Sequence, residues 1–340
     1  MPIRVAINGF GRIGRMTFRA GFSNKKLEFV AVNDLTDPET LAHLLTYDTV
    51  FRKFDKKVKV KGSTIFIDGK PLKVLAEKDP SVLPWKDLGI DVVLECTGRF
   101  TNKEDASKHI TAGAKRVIIS APVKGGTVPT HVLGVNASSY KGAEVISNAS
   151  CTTNCISPVA SVMVEKFGVA KALMTTIHAV TAEQNLVDSP PPGLKKGDLR
   201  RARIAYQNII PTTTGAAVAT AEVIPALKGL FDGLAIRVPV ADVSLTDFVF
   251  LLKKKTTKEV INEAFKVAAK DPRYKGILGV TEEPLVSSDF IGSTYSAIVD
   301  LSLTNVVDGD LVKVIAWYDN EWGYSTRLAE MVVMVGKSLK

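Results

Sequence analysis

The feature that most constrains the fold is a glycine-rich segment near the N-terminus, Asn8-Gly9-Phe10-Gly11-Arg12-Ile13-Gly14. It follows an apolar run of strand length and leads into a segment whose apolar residues have helical spacing. Such a G-x-G-x-x-G pattern allows a tight turn, close approach of a pyrophosphate and close packing of helix on strand. The free N–H groups at the start of the helix favour bound phosphate. The segment therefore predicts a Rossmann-type domain that binds a dinucleotide.

Apolar runs of strand length alternate with helix-like segments over the first 150 residues, the βαβ pattern of a parallel sheet. Several runs are nearly continuous Val, Ile and Leu, as expected when both faces of a strand are covered. A turn at Asp68-Gly69 predicts a small antiparallel excursion over residues 57–61 and 64–75. The predicted parallel strands are residues 4–8, 28–33, 91–96, 116–120 and 144–147.

The second half of the chain has longer apolar runs and predicts an α+β domain with a largely antiparallel sheet. The predicted strands are residues 173–177, 234–238, 244–252, 295–300 and 311–318, and the predicted helices are residues 152–167, 215–224, 257–269 and 331–338. The fold class is thus α/β: a Rossmann domain followed by an α+β catalytic domain. We predict an NAD-binding domain over residues 1–150, completed by the C-terminal residues 320–340, and a catalytic domain over residues 151–319.

Asp34 indicates which dinucleotide binds. It lies at the end of the second predicted strand, where an acidic side chain accepts hydrogen bonds from a ribose 2′-hydroxyl and repels a 2′-phosphate. The alternative interpretation is an aspartate that stabilises a turn or a helix start. We predict NAD as the cofactor.

Cys151 is the predicted nucleophile. It lies in Ser-Asn-Ala-Ser-Cys-Thr-Thr-Asn-Cys, at a strand-to-helix junction, where the helix dipole and free backbone N–H groups stabilise a thiolate. Cys155, one helical turn further on, and Cys96, in an apolar run, are predicted to be core residues. Three cysteines without a framework spacing argue against disulfides and for a reducing cytoplasm. No second Cys/His pair completes a zinc site, so no metal is predicted.

His178 and several cationic segments are the other candidate functional residues. An imidazole beside a thiolate can increase its nucleophilicity and carry the proton that oxidation releases, although a histidine at a strand end can also be structural. Asp198-Leu-Arg-Arg-Ala-Arg203, Pro211-Thr-Thr-Thr-Gly215 and the lone Arg237 supply guanidiniums, hydroxyls and N–H groups suited to binding phosphate.

The net charge of +9 bears on the partners of the protein. A basic surface attracts nucleic acid, but it also steers anionic substrates and cofactors towards their sites. No aromatic residues interleave the lysine clusters as a base-stacking surface would need. Nucleic acid is therefore not expected as the primary partner, and no apolar run is long enough to predict a membrane span.

Five segments together closely resemble the glyceraldehyde-3-phosphate dehydrogenase family of bacterial and eukaryotic type: INGFGRIGR, SNASCTTNC, DLRRAR, PTTTGAA and WYDNEWGYS. The resemblance runs from Ile3 to the C-terminus. It implies NAD-dependent oxidation and phosphorylation of D-glyceraldehyde 3-phosphate to 1,3-bisphosphoglycerate, through a cysteine thiohemiacetal and a thioester. It also implies a homotetramer in which the segment after His178 packs across subunits.

The same resemblance implies a role for each site residue. Cys151 would attack the aldehyde and His178 would act as the base. Ser150, Thr152, Thr214 and Gly215 would bind the attacking inorganic phosphate, and Thr181, Arg201 and Arg237 would hold the phosphate of the substrate. Gly9, Gly11 and Gly14 form the dinucleotide loop; Arg12, Ile13, Asp34, Lys78, Ser120 and Asn320 would contact NAD, with Tyr324 beside the nicotinamide.

Residues 189–197 depart from the family pattern. This proline-rich stretch is longer than usual and predicts an exposed loop that alters a subunit contact. Ser189 stands where NAD-specific members often carry leucine, which weakens discrimination against NADP, whereas Asp34 favours NAD.

Three alternative functions are compatible with part of the sequence. The nearest is erythrose-4-phosphate dehydrogenase, in which water replaces phosphate as the acceptor. A semialdehyde dehydrogenase also pairs a Rossmann domain with Cys and His, but SNASCTTN and WYDNE fit it poorly. A nucleic-acid-binding protein is the alternative from a different class.

Overall fold

The computed structural model describes residues 1–123, 125, 128–190 and 198–339 of the chain. The chain forms two compact units. The first contains Met1–His131, Ser139–Ser150 and Ser325–Lys340, and the second contains Val132–Ser138 and Cys151–Tyr324. The predicted loop at residues 189–197 lies, from residue 191 onward, outside the described residues.

The first unit is built on a mainly parallel sheet. Within the described residues its strands are β1 (Ile3–Asn8), β2 (Leu27–Asn33), β3 (Val58–Lys61), β4 (Thr64–Ile67), β5 (Lys70–Leu75), β6 (Val92–Glu95), β7 (Arg116–Ile119) and β8 (Val145–Ser147). Their order is β3-β4-β5-β2-β1-β6-β7-β8. The neighbours of β1 are β2 and β6, both parallel to it. The ends of these three strands therefore form the edge at which ligands bind in such sheets.

Side chains fix where the helices of the first unit begin. They are α1 (Arg12–Gly21), α2 (Pro38–Thr46) and α3 (Lys103–Thr111). Asp37 caps α2 by accepting a 2.8 Å hydrogen bond from Thr40 N, and Asn102 caps α3 in the same way through Asp105 N. Helix α1 starts directly after Gly11, so its free N–H groups face the glycine-rich turn.

The predicted antiparallel excursion is partly different in the structure. β3 and β4 pair antiparallel, as do β4 and β5. However, β5 also pairs parallel with β2, so the excursion is continuous with the main sheet. The reason is its alternation: Leu72 and Val74 are buried, and they extend the apolar surface of the sheet past β2.

The second unit contains a largely antiparallel sheet, as predicted. Within the described residues its strands are β9 (Val169–His178), β10 (Ile210–Thr213), β11 (Phe231–Arg237), β12 (Ser244–Leu252), β13 (Leu278–Thr281), β14 (Ala297–Asp300), β15 (Asn305–Val307) and β16 (Leu311–Tyr318). The order is β10-β11-β9-β12-β16-β14-β13, and β15 pairs with β16. β9 and β11 run parallel, as do β13 and β14. The helices are α4 (Cys151–Phe167), α5 (Ala216–Val223) and α6 (Lys258–Lys270).

The last helix, α7 (Trp322–Lys337), begins nine residues before the predicted start at residue 331. Asp319 explains the early start, because its carboxylate accepts hydrogen bonds from Glu321 N at 3.0 Å and Trp322 N at 2.6 Å. Position 323 of this helix requires glycine, because a Cβ there would lie 2.6 Å from Tyr295 O. None of the helices in the described part of the chain is long and apolar enough to cross a membrane.

Candidate active site

Cys151 is the first residue of α4 and forms a pair with the last residue of β9. The chain turns sharply before it, at Ala149, whose φ of 54° lies in the left-handed region. Cys151 Sγ lies 3.5 Å from His178 Nε2. A thiol at a helix N-terminus beside an imidazole is the arrangement that activates cysteine nucleophiles.

Strand pairing sets the surroundings of His178. In the parallel register of β9 and β11, His178 pairs with Arg237. Its Nδ1 lies 2.7 Å from the carbonyl oxygen of Ala179, and Nη1 of Arg237 lies 3.0 Å from the same oxygen. Nδ1 also lies 2.8 Å from Arg237 Nη1, which can only donate, whereas the carbonyl oxygen can only accept. We assign the proton to Nδ1, with both Nδ1 and Arg237 Nη1 donating to Ala179 O, because Nε2 is then the nitrogen that accepts a proton from the thiol.

Burial and charge both act on the pKa values of this pair. Burial, assisted by the Arg237 cation, lowers the pKa of His178 to about 3, so the imidazole is neutral at neutral pH. Burial raises the pKa of the Cys151 thiol, while Arg237 and hydrogen bonds from Thr152 oppose that rise. In the absence of substrate, the structure therefore favours a neutral thiol beside a neutral imidazole that is ready to accept its proton.

Tyr318 is a site residue that the sequence reasoning missed. Its hydroxyl lies 3.0 Å from Thr152 Oγ1 and 2.8 Å from Thr176 Oγ1, and its ring packs edge-on against the imidazole of His178. Thr152, predicted to bind phosphate, thus already has a hydroxyl partner. Tyr318 lies in the segment WYDNEWGYS, which carries part of the resemblance, but the sequence assigned it no role; the pairing of β16 with β12 brings it to this place.

An anion pocket lies next to His178. Arg237 is 9% exposed, and its Nη2 donates to Glu183 Oε1 at 3.2 Å. Arg201 Nη1 donates to the same oxygen at 2.6 Å. The carboxylate of Glu183 therefore joins the two guanidiniums. Arg237 Nε and Thr181 Oγ1 are buried without a hydrogen-bond partner in the described structure. Buried donors without partners indicate a place for an anionic ligand.

Arg201 is held by the strand that follows it. Its Nε donates to Thr212 Oγ1 at 2.9 Å, and its Nη2 donates to the carbonyl oxygen of Thr213 at 3.2 Å. Residues 210–213, for which the sequence predicts no strand, form β10, which pairs antiparallel with β11. Thr214 and Gly215 follow at the start of α5, with open space above Gly215.

The three glycines of the dinucleotide loop have the environments that the motif predicts. Gly9 has φ +90°, and a Cβ there would lie 2.8 Å from the backbone of Cys96 and Thr97. A Cβ on Gly14 would overlap the carbonyl oxygen of Gly9. Gly11, by contrast, has no atom within 4 Å of the Cβ position, which leaves room for a pyrophosphate at the start of α1. These residues fit NAD.

Asp34 and Arg12 both have partners inside the first unit. The Asp34 carboxylate accepts hydrogen bonds from Phe10 N at 2.8 Å and Thr36 N at 3.1 Å, so it also stabilises the glycine loop. The guanidinium of Arg12 pairs with the buried carboxylate of Asp48, which sequence reasoning did not single out.

The other predicted cofactor residues differ in exposure. Ile13 and Ser120 are half-buried and Lys78 is exposed. In the second unit, Asn320 and Tyr324 are each 4% exposed, and Asn320 Oδ1 accepts a 2.7 Å hydrogen bond from Ser244 Oγ.

The other two cysteines lack the features of a nucleophile. Cys155 is fully buried, with Sγ 3.8 Å from Thr246 Oγ1, and burial raises the pKa of its thiol. Burial also raises the pKa of Cys96 to about 12. Cys155 is a core residue, as predicted, whereas Cys96 follows the last residue of β6 and is half-buried rather than in the core.

A dinucleotide-binding sheet joined in one chain to a cysteine–histidine pair defines the class: an NAD-dependent oxidoreductase that works through a thiol. Comparison with known proteins specifies the family. Residues 3–103 match the NAD binding domain of glyceraldehyde 3-phosphate dehydrogenase, and residues 150–320 match its C-terminal domain. The chain belongs to the glyceraldehyde-3-phosphate dehydrogenase family.

Full-length relatives agree with this assignment. The chain is 54% identical to a glyceraldehyde-3-phosphate dehydrogenase of Streptomyces coelicolor, over 100% of both chains. It is 52% identical to that of Geobacillus stearothermophilus, over 98% of both. A chloroplastic relative from Arabidopsis thaliana is 51% identical over 99% of this chain and 85% of its own length. The predicted fold class, enzyme class and NAD cofactor are confirmed; the individual site residues and the domain limits stay predictions.

Proposed function

We propose that the enzyme oxidises D-glyceraldehyde 3-phosphate to 1,3-bisphosphoglycerate, with NAD as the oxidant and inorganic phosphate as the acyl acceptor, as a step of glycolysis. The observation that carries the proposal is the line of contacts from Cys151 through His178 to Arg237. These contacts support the roles of Cys151 as nucleophile, His178 as base and Arg237 as phosphate-binding cation. Membership of the family favours this substrate over erythrose 4-phosphate.

Cys151 and His178 perform the covalent chemistry in this proposal. The sulfur attacks the aldehyde carbon while Nε2 of His178, 3.5 Å away, takes the thiol proton. His178 returns this proton to the oxygen of the thiohemiacetal and takes it back when the hydride leaves. Bound NAD would supply the hydride acceptor, and loss of the hydride and the proton gives a thioester. The thioester retains the free energy of oxidation until phosphate attacks it and frees Cys151.

Arg237, Arg201 and Thr181 hold the phosphate of the substrate. Arg237 contributes to the low pKa of His178, because a cation 2.8 Å from Nδ1 opposes a second positive charge. A bound phosphate dianion offsets that cation. Substrate binding therefore makes His178 a stronger base when the thiol must lose its proton.

The attacking phosphate is proposed to bind at Ser150, Thr152, Thr214 and Gly215. Gly215 precedes α5, so free N–H groups and the positive end of the helix dipole are available there. Thr152 takes part through a hydroxyl that also contacts Tyr318. Hydroxyls and backbone amides suit an acceptor that must be bound and then released.

NAD is proposed to bind at the strand ends of the first unit. Residues 1–150 and 320–340 form the NAD-binding domain, and residues 151–319 form the catalytic domain. The loop glycines Gly9, Gly11 and Gly14 admit the pyrophosphate, and Asp34 accepts from the ribose. The remaining contacts are assigned to Arg12, Ile13, Lys78, Ser120 and Asn320, with Tyr324 beside the nicotinamide.

A homotetramer is proposed from the open face of the second sheet. Strands β9, β12 and β16 bury one face and leave the other open, where Leu173, Leu251 and Leu311 are 64%, 38% and 42% exposed. These side chains line a groove of about 1080 Å³ together with Val218 of α5. An apolar patch of this kind is typical of a surface that binds another subunit.

A cytoplasmic location is proposed from the three cysteines, which are all unpaired in the structure. Small anions, rather than nucleic acid, are proposed as the ligands attracted by the basic surface.

The proposal is tested by following one turnover without phosphate. With NAD and glyceraldehyde 3-phosphate alone, we expect a burst of up to one NADH per subunit and an acyl group covalently held on the intact protein. Added phosphate should remove the acyl group. Cys151→Ser should show neither event, whereas Cys155→Ser, the matched control, should show both. Continuous turnover without phosphate would indicate that water is the acceptor and would contradict the proposal.

A further inference from the structure

A network of buried polar side chains, separate from the thiol site, links the ends of three neighbouring strands in the first unit. Asn8 ends β1, Asn33 ends β2 and Glu95 ends β6, and they are 1%, 5% and 1% exposed. His109 of α3 is fully buried and joins them. None of these four side chains has a role in the chemistry described above.

Trp85 determines the tautomer of His109, that is, which ring nitrogen carries the proton. An indole N–H can only donate, and Trp85 Nε1 lies 3.0 Å from His109 Nδ1. Nδ1 is therefore the acceptor, and the proton of the neutral ring is on Nε2, 3.1 Å from Glu95 Oε2. The imidazole thus donates to the carboxylate.

Both carboxylate oxygens of Glu95 accept hydrogen bonds. Oε2 accepts from His109 and, at 2.6 Å, from Asn8 Nδ2. Oε1 accepts from Thr97 N at 2.8 Å and contacts the Thr97 hydroxyl. A buried carboxylate with this many donors is well satisfied, and losing it leaves several buried N–H groups without an acceptor.

The network continues from Asn8 to a third chain segment. Asn8 Oδ1 accepts from Asn33 Nδ2 at 2.7 Å. The Asn33 side chain also bridges the backbone of Glu77, donating to its carbonyl oxygen and accepting from its N–H, each at 2.8 Å. Each of these residues directly precedes a proposed cofactor residue: Asn8 precedes Gly9, Asn33 precedes Asp34 and Glu77 precedes Lys78.

We propose that Glu95, with His109, Asn8 and Asn33, is a positioning residue for NAD. It fixes the three backbone segments that carry Gly9, Asp34 and Lys78, so that the site is formed before the cofactor arrives. Preorganisation of this kind increases affinity because less conformational entropy is lost on binding. This inference rests on the proposed NAD site.

Glu95→Gln is the direct test. In either orientation of the glutamine amide, its –NH₂ group faces an N–H donor. That donor is Thr97 N in one orientation, and Asn8 Nδ2 together with His109 Nε2 in the other. Asn33→Ala is the milder second variant: it leaves Glu95 satisfied but removes the bridge to Glu77. Val117→Ala is the matched control, because Val117 is fully buried in β7 of the same sheet and belongs to no site.

Three quantities are measured for each variant: the dissociation constant of NAD by calorimetry, the Tm, and the rate at which iodoacetamide alkylates Cys151 without NAD. We expect Glu95→Gln to weaken NAD binding at least tenfold and Asn33→Ala about fivefold, with alkylation within twofold of wild type. Val117→Ala should lower the Tm but leave NAD affinity within twofold.

Two results would overturn the inference. One is unchanged NAD affinity in Glu95→Gln and Asn33→Ala. The other is a loss of affinity in Val117→Ala that matches theirs at equal loss of Tm, since that would make the network merely structural. If Glu95→Gln shows no cooperative unfolding, Asn33→Ala decides. Failure of the wild-type enzyme to bind NAD would instead contradict the proposed function.

Discussion

Glu183→Gln should strengthen binding of the phosphorylated substrate. In the structure, Glu183 Oε1 accepts from Arg201 at 2.6 Å and from Arg237 at 3.2 Å. The carboxylate thus occupies the guanidiniums that are proposed to receive the phosphate of the substrate. It must give up these contacts before phosphate can take them, and while it stays nearby its charge repels the incoming dianion.

The size of the effect follows from the exposure of the pairs. The Glu183 side chain is 50% exposed, and those of Arg201 and Arg237 are 24% and 11% exposed. Half-exposed ion pairs are screened by water, so each is worth roughly 0.5–1 kcal/mol. Removing both competing contacts should lower the KM for glyceraldehyde 3-phosphate by about 1–2 kcal/mol, or roughly 5- to 30-fold.

The assay compares KM for glyceraldehyde 3-phosphate with KM for unphosphorylated glyceraldehyde. Only the first should fall, because only that substrate carries the phosphate. Glu282→Gln is the control, since Glu282 forms a comparable exposed ion pair with Lys266 away from the site. A higher KM for glyceraldehyde 3-phosphate in Glu183→Gln would refute the reasoning, because it would mean that Glu183 orients the two arginines rather than competing with substrate.

Three further predictions concern the base, the acid pair and the open sheet face. His178→Asn should lower kcat by about 10²- to 10⁴-fold with NAD affinity unchanged, measured by steady-state kinetics and calorimetry; equal loss of both would contradict its role as the base. Burial and the neighbouring Asp319 carboxylate raise the pKa of Asp242, so the folded state holds a proton that the unfolded state releases above about pH 4. The contribution of Asp242 to the free energy of unfolding is therefore fully present at low pH and is lost as the pH rises. Asp242→Asn should raise the Tm at pH 8 more than at pH 5, and a larger increase at pH 5 would contradict this prediction. Leu173→Lys should reduce the mass measured by light scattering, because burying a leucine is worth about 1.5–3 kcal/mol and a two-fold symmetric interface buries Leu173 of both subunits. An unchanged mass on dilution would exclude this face from the assembly.

Sequence patterns predicted the strands best where the burial pattern was simple. The bounds predicted for β12 and β16, Ser244–Leu252 and Leu311–Tyr318, agree residue for residue with the structure. In β12, alternate residues are buried, which is the period that a half-covered sheet imposes. The sequence predicts no strand at Ile210–Thr213, because one proline and two threonines give no apolar run, and pairing with β11 supplies the stabilisation that the local sequence lacks.

The local part of the site could be predicted from sequence, and the part that depends on strand register could not. Cys151 could be found because a strand-to-helix junction places a thiol at a helix start. Glu183 and Tyr318 could not, because their contacts join segments far apart in the chain. Their positions follow from the register of β9 with β11 and of β12 with β16, which no single segment encodes.

The most direct test of the account is steady-state formation of NADH from glyceraldehyde 3-phosphate, with NAD or NADP and with or without phosphate. We expect turnover that requires NAD, phosphate and Cys151, with Cys151→Ser inactive and Cys155→Ser active. Equal use of NADP would show that the segment at Ser189 outweighs Asp34 in choosing the cofactor. Turnover that is indifferent to phosphate, or that survives in Cys151→Ser, would contradict the central claim that the acyl group of a cysteine thioester is transferred to phosphate.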